Sequence, residues 1–294
     1  MKTTGWIIYN GNLPGNKFLD YAEMLQAAAN KLQSNAHLFK NNELMSVLST
    51  STLDLLSIDK KPDYVVFTDK DIYLARQLEY LNIPVFNSAH AIATSDDKIA
   101  TYQELARKKL PIPKTIIAPK IFIEGSFPDF LIDQTIKELG LPLVIKEAFG
   151  SFGEQVYLVH TREELVEIIQ TIGNKPFVFQ EFISTSYGVD IRLQVVGNEV
   201  VAGMQRKSLD DFRANITAGG TMQPYEATQE EKKIAIEATK AIGANFAGVD
   251  LLFGKDGPLI CEVNSNAHIR YLLDCTKINA ADFIMSFIMK QLSA

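Results

Sequence analysis

Three oxygen-bearing side chains near the end of the chain, Asp250, Glu262 and Asn264, have the types and spacing of a cation site. Residues 248–264 read as two strands joined by a turn at Gly254-Lys255-Asp256-Gly257, the Gly/Asp chemistry of hairpin loops. Side chains alternate along a strand, so Asp250 points away from Val249 and Leu251, and Glu262 and Asn264 share a face. Such a hairpin brings the three oxygens to one place, and hard cations such as Mg²⁺ take oxygen ligands beside phosphates. The competing reading is an edge hairpin with a solvated polar face. Strict alternation puts Cys261 opposite Glu262, as a small buried apolar residue.

A second group of residues suits phosphate. Lys146 ends an apolar strand and runs into a loop with Gly150, Ser151, Phe152 and Gly153, whose backbone N–H groups can cradle anionic oxygens. The lysine precedes the glycines, so this is neither a P-loop nor a dinucleotide fingerprint, and an ordinary turn remains the alternative. Ser95-Asp-Asp-Lys98 opens a helix with Ser95 as N-cap. A cation at Lys98 opposes the helix dipole, which an anionic partner would explain, a plain surface lysine being the default reading. Further on, Asp190, Arg192 and Gln194 share one strand face, Arg206 lies on the returning strand, and Arg213 and Asn215 occupy a polar loop. Arginines aimed at one cleft stabilise charge on a transferring phosphoryl group, whereas a solvated sheet face with an ordinary ion pair is the rival account. The apolar strand 176–183 reaches Gln180 and Glu181, where a slot for an adenine ring or a plain buried strand both fit.

Alternating elements must position these groups. Strands at 5–9, 63–67 and 83–87 alternate with helical patterns at 17–33 and 72–81, which predicts a small open parallel α/β unit over residues 1–93. Asn10, Asn12 and Asn16 fall at its strand ends, as ligand candidates or as ordinary loop residues. Downstream come a helix near 129–139, a hairpin around the glycine loop, a helix opened by Thr161-x-x-Glu164, the hairpin 189–206 and a helix from Thr228 with a capping box to Glu231. A last helix over 279–292 is expected to turn Phe283, Phe287 and Ile288 inward. The 294 residues are 47% hydrophobic, with net charge −6 from 29 basic and 35 acidic residues, which argues against a basic nucleic-acid surface. Two cysteines fit a reducing compartment, and the absence of a leader pattern or long apolar run points to a cytoplasmic chain with no membrane partner.

The order of these motifs resembles the ATP-grasp superfamily, and within it the RimK-like carboxylate–amine ligases. The resemblance is carried by Asp97-Lys98, Val144-Ile-Lys146, Gly150-Ser-Phe-Gly153, Gln180-Glu-Phe-Ile183, Asp190-Ile-Arg192, Arg206, Asp211-Phe-Arg-Ala-Asn215, Gly248-Val-Asp250 and Glu262-Val-Asn264. It implies a mixed α/β and α+β fold: a Rossmann-like pre-ATP-grasp domain (1–93), then a central lobe with the glycine loop (94–183) and a C-terminal lobe with the metal site (184–294), the two lobes enclosing ATP. It also implies residue roles. Lys98 and Lys146 would contact ATP phosphates, with residues 150–153 folding over them. Glu181, Phe182 and Ile183 would frame adenine and Asp190 the ribose side. Arg206 and Arg213 would be catalytic, Arg213 and Asn215 lying near the phosphates and the substrate. Asp250, Glu262 and Asn264 would hold Mg²⁺, as two ions and replaceable by Mn²⁺.

The implied reaction activates a carboxylate as an acyl phosphate and joins it to an amine of a small molecule or of a peptide or protein terminus, glutamate being one candidate. A small-molecule kinase and a non-catalytic nucleotide-binding regulator are the alternatives. Relatives often form homo-oligomers. Two departures stand out: Ser265-Asn-Ala-His-Ile-Arg270 replaces the usual Ser-Pro-Gly segment, and Ala218 replaces a basic residue. Arg192, His268 and Arg270 are the expected contacts to an acidic or amino-acid substrate, a surface loop being the rival reading of the last two.

Overall fold

Apolar runs too short for helices build the centre of the first sheet. The computed structural model describes residues 3–123, 127–150, 153–214 and 219–293. In it β1 (Thr4–Tyr9) is followed by α1 (Lys17–Lys31), β2 (Asn35–Lys40), the short strands β3 (Ser46–Leu48) and β4 (Leu53–Leu55), β5 (Tyr64–Phe67), α2 (Ile72–Tyr80) and β6 (Val85–Phe86). The sheet runs β2-β1-β5-β6, with every neighbouring pair parallel. β1 and β5 are buried nearly throughout, which is why they read as continuous apolar runs. Gly5 lies in register with Tyr64, and any Cβ there would overlap the ring. The expected parallel unit is therefore present. β2 and the β3–β4 antiparallel hairpin are additions that the sequence pattern did not reveal.

α3 (Ala89–Asp96) and α4 (Lys98–Arg107) follow. The expected cap at Ser95 is corrected here, because Ser95 lies inside α3 and Asp97 caps α4 by accepting the N–H groups of Ile99 and Ala100. Ser95 instead donates its hydroxyl to the Val263 carbonyl and accepts the Ser265 N–H, both at 2.9 Å.

The second sheet combines β7 (Thr115–Ile117), β8 (Leu143–Glu147), β9 (Val156–Val159) and β10 (Phe177–Glu181), with α5 (Asp129–Leu139) and α6 (Arg162–Ile172). Its order is β7-β10-β8-β9, antiparallel throughout, so the glycine loop joins a true β8–β9 hairpin. Thr161 caps α6 through the Glu164 N–H, while the Glu164 carboxylate takes the N–H of His160 rather than that of Thr161.

The third sheet contains β11 (Val189–Val196), β12 (Glu199–Lys207), β13 (Thr221–Pro224), β14 (Phe246–Gly254) and β15 (Gly257–Asn264), with α7 (Gln229–Ala241), α8 (Arg270–Thr276) and α9 (Ala280–Leu292). Its order is β13-β12-β11-β14-β15, antiparallel. Ile234, Ala235 and Ala238 of α7 pack on one face, together with Tyr102 and Leu105 of α4. A separate core joins this sheet to α8, α9 and α1: Tyr21, Leu25 and Ala28 bury with Met204, Leu272, Ile284 and Ile288. α9 turns Ala281, Ile284, Met285 and Ile288 inward, whereas Phe283 is 39% exposed, which corrects its expected burial. Among the described residues no helix is long and apolar enough to cross a membrane.

Candidate active site

Cross-strand register assembles the charged centre. Asp190 pairs with Arg206, Arg192 with Asp250, and Asp250 with Glu262, while Asn264 stands opposite Gly248. Directly opposed residues share a face, so all of these side chains lie on the same side of the sheet. A Cβ at Gly248 would overlap Ala267, so glycine there lets the segment after β15 fold close over this face. Arg206 grips Asp190 as a fork, its Nε at 2.7 Å, and reaches Asp250 at 2.8 Å. Arg192 grips Asp250 with both Nε and Nη2 at 2.7 Å. Bidentate pairs of this kind fix guanidinium planes.

The two carboxylates share Arg206 yet titrate in opposite directions. Burial opposes charge on Asp250, but Arg192 and Arg206 outweigh it and hold the carboxyl down to about 2. Burial pushes Asp190 up to about 6 against the pull of Arg206, helped by the nearby negative charge of Asp250. Asp190 thus accepts from Arg206 through both carboxylate oxygens.

Lys146 is 7% exposed and is the next-to-last residue of β8. Its ammonium donates to the Tyr102 hydroxyl at 2.9 Å and lies 3.6 Å from the Cys261 sulfur. Burial disfavours its charge, but Cys261, Tyr102 and Glu262 prevail and hold its pKa above the ordinary lysine value. The Cys261 contact corrects the expectation from strict alternation. The β14–β15 register shifts between Asp250 and Leu251, opposite Glu262 and Ile260, leaving Cys261 as the extra residue of a β-bulge. A bulge re-aims side chains, and here it turns the thiol toward the site.

Lys98 is the first residue of α4, and its backbone N–H donates to the Ala148 carbonyl at 2.9 Å. Burial lowers its pKa, with Glu262 opposing and Lys146 reinforcing the effect. Its ammonium reaches the Gly150 carbonyl at 3.5 Å. Buried Lys146 and half-buried Lys98 thus both lie near the base of the glycine loop. Arg213 is held by Asp211 and donates to the Gly153 carbonyl, tying the 208–214 loop to the far side of the glycine loop. Ser151, Phe152 and Asn215 lie outside the described residues.

At the end of β10, Glu181 accepts the Lys114 N–H at 2.7 Å, and the Phe182 ring meets Tyr187 and Phe212 edge-on. Ile183 follows and starts a single turn closed by the Ser186 N–H. His268 packs against Phe18 and Tyr21 of α1, and Arg270 forms an ion pair with Asp20 on the same helix. These two residues dock the post-hairpin segment onto α1.

The donor set suits Mg²⁺. Two carboxylates and an amide are hard oxygen ligands, and Mg²⁺ is commonly held by one or two carboxylates with phosphate and water completing its shell. Sequence reasoning did not find Tyr102, which aims Lys146, or Asn87, which is fully buried and bonds the main chain of Asn245, Phe246 and Ser265. An isolated Tyr in a helix and an Asn after a short strand carry no spacing signal.

Residues 95–288 match the RimK-like ATP-grasp domain. A probable alpha-L-glutamate ligase of Coxiella burnetii is 40% identical over 220 residues, covering 74% of this chain and 71% of that protein. An uncharacterized MG012 homolog of Mycoplasma pneumoniae is 31% identical over 278 residues, covering 92% and 93%. Among solved structures, the ATP-grasp ligase PsnB complexed with minimal precursor, Mg and ADP superposes with a TM-score of 0.71 at 15% identity, over 99% of this chain and 98% of that one. The extent of the domain match and the identity shared along most of both relatives, carried on the same fold, show that the chain belongs to the RimK-like ATP-grasp family.

Proposed function

We propose that the protein is an ATP-dependent ligase that activates a carboxylate by phosphoryl transfer and joins it to an amine. The observation that carries this reading is one sheet face that presents Asp250, Glu262 and Asn264, with the Lys146 ammonium set beside it 3.6 Å from the Cys261 sulfur. Cations beside a hard-oxygen donor set form a preorganised site for polyphosphate oxygens, whose charge they meet without reorganising. When bound, ATP with Mg²⁺ supplies the phosphoryl group that makes a carboxylate electrophilic. Asp250, Glu262 and Asn264 would hold the metal. Tyr102 and Cys261 orient the Lys146 ammonium, and Asp190 and Asp250 orient Arg206 toward charge on the transferring group. Arg213 ties Gly153 to the loop that carries Asp211. Among the described residues no Ser–His or Cys–His pair is joined by a hydrogen bond, so the nucleophile in this reading comes from the amine substrate.

Glutamate, the amino acid in the name of the Coxiella burnetii relative, is the first amine to test. The experiment is an ADP-release screen over carboxylate and amine pairs, with hydroxylamine as a general trapping amine. A ligase gives a hydroxamate of its carboxylate substrate. Lys146→Ala should lower kcat/KM for ATP by roughly 100-fold or more. ADP release with a stable phosphorylated product and no hydroxamate would establish a kinase and overturn the ligase reading.

A further inference from the structure

Among the described residues, two buried side-chain oxygens, Asp69 Oδ2 and Asn266 Oδ1, have no hydrogen-bond partner. Both belong to one cluster, where the carboxyl ends of β1 and β5 meet the segment that follows β15. Asn10 donates Nδ2 to Asp69 Oδ1 at 3.0 Å, and Asn266 donates Nδ2 to the Asp69 carbonyl at 2.8 Å. The Asn266 N–H in turn reaches Asn264 Oδ1 at 2.9 Å, linking the cluster to the metal-site hairpin.

The amide orientations are fixed. Asn10 Oδ1 is taken by the N–H groups of Asn12 and Leu13, at 2.9 and 2.8 Å, so its Nδ2 must face Asp69. Turning Asn266 around would set its oxygen against the Asp69 carbonyl. What remains is a carboxylate oxygen and an amide oxygen, both acceptors, with no donor. Asp69 is 7% exposed, and the neighbouring Lys70 is paired with Asp96. Leaving a buried acceptor unsatisfied is unfavourable, more so when it carries charge. The carboxyl ends of parallel strands are where ligands of open α/β sheets bind.

We propose that Asp69 and Asn266 form a recognition site for the primary ammonium group of an amino acid or peptide substrate, an inference that rests on the ligase reading above. An ammonium offers three donors and a positive charge, which matches two acceptors and one negative charge. Water would supply protons without the charge, and an alkali cation would supply charge without directional donors. The site also gives a physical role to the unusual Ser265–Arg270 segment: Asn266 selects the substrate while His268 and Arg270 fix the segment on α1.

The test uses the full-length chain with ADP and Mg²⁺ present and titrates amino acids against their desamino partners, glutamate against glutarate and alanine against propionate, by calorimetry. Wild type should favour the amino member of at least one pair by about tenfold or more. Asp69→Asn and Asn266→Leu should abolish that preference with ADP affinity retained, and Asp69→Asn should melt no lower than wild type because it removes an unpaired buried charge. A wild type without amino preference, or a preference that survives Asp69→Asn, overturns the proposal. So does a melting temperature that falls together with ADP affinity, which marks a structural role. Stabilisation by K⁺ over Na⁺ that Asp69→Asn removes, without amino preference, assigns the site to an alkali cation and also overturns it. If the screen of pairs releases no ADP while the calorimetric preference stands, the ligase reading fails and the ammonium site does not.

Discussion

His268 shows what burial does to a single titratable side chain. It lies between the rings of Phe18 and Tyr21, and burial, aided by Lys17 and Arg192, lowers its pKa from 6.5 to about 4. The folded value is depressed, so between pH 6.5 and 4 the unfolded chain binds more protons than the native one. The contribution to stability is therefore complete above pH 6.5 and is lost as the pH falls toward 4, by up to about 3 kcal/mol. Measuring Tm across this range for wild type and His268→Phe checks it: the variant should lose most of the slope, and an unchanged slope would assign the pH dependence elsewhere. At this scale the sequence was readable wherever regular alternation held. Asp190, Arg192, Arg206 and Asp250 do share a face, as period-two reasoning requires. Cys261 broke the rule because a bulge inserts one residue, and nothing in Leu-Ile-Cys-Glu announces an insertion.

At the scale of elements, one asparagine holds strands from different sheets together. Asn87 accepts the N–H groups of Asn245 and Phe246 and donates to the carbonyls of Phe246 and Ser265, using both ends of its amide at a fully buried position. Asn87→Ala would leave several main-chain groups buried and unpaired, so urea denaturation should show a loss of about 3 kcal/mol or more. A loss under about 1 kcal/mol would mean that water replaces the amide. Elements with strong period were legible: β1, β5, the β8–β9 hairpin, α7 and its Thr228–Glu231 capping box all appear as expected. β2 and α8 were not. The edge strand Asn35–Lys40 buries fully only Ala36, and α8 has seven residues, too few for a helical period to register.

Across the whole molecule, the parts of the chain furthest apart in sequence share a core. α1 packs on α9 and on the third sheet, Lys31 pairs with Asp282, and the Thr3 hydroxyl approaches the Met289 sulfur at 3.8 Å. One face of the first sheet carries a core of its own within residues 6–92, while the other face shares its core with α8, α9 and the third sheet. Residues 1–93 produced alone should give no cooperative melting transition, since Tyr21, Leu25 and Ala28 would face water. A sharp two-state transition in that fragment would contradict this. The parallel topology was readable because alternating strands and helices leave few alternatives. The pairing of α1 with α9 was not, because an apolar stripe does not name its partner.

That pairing also orders events in time. Lys31 and Asp282 are 251 positions apart, so the first helix leaves the ribosome long before the last one exists. Until then its stripe of Tyr21, Leu25 and Ala28 has no lasting cover, and the loop to be closed carries an entropy cost that grows with the logarithm of its length. Native packing of α1 then waits until α9 has been made, and a chain stalled short of Ala280 is a natural client for chaperones and proteases.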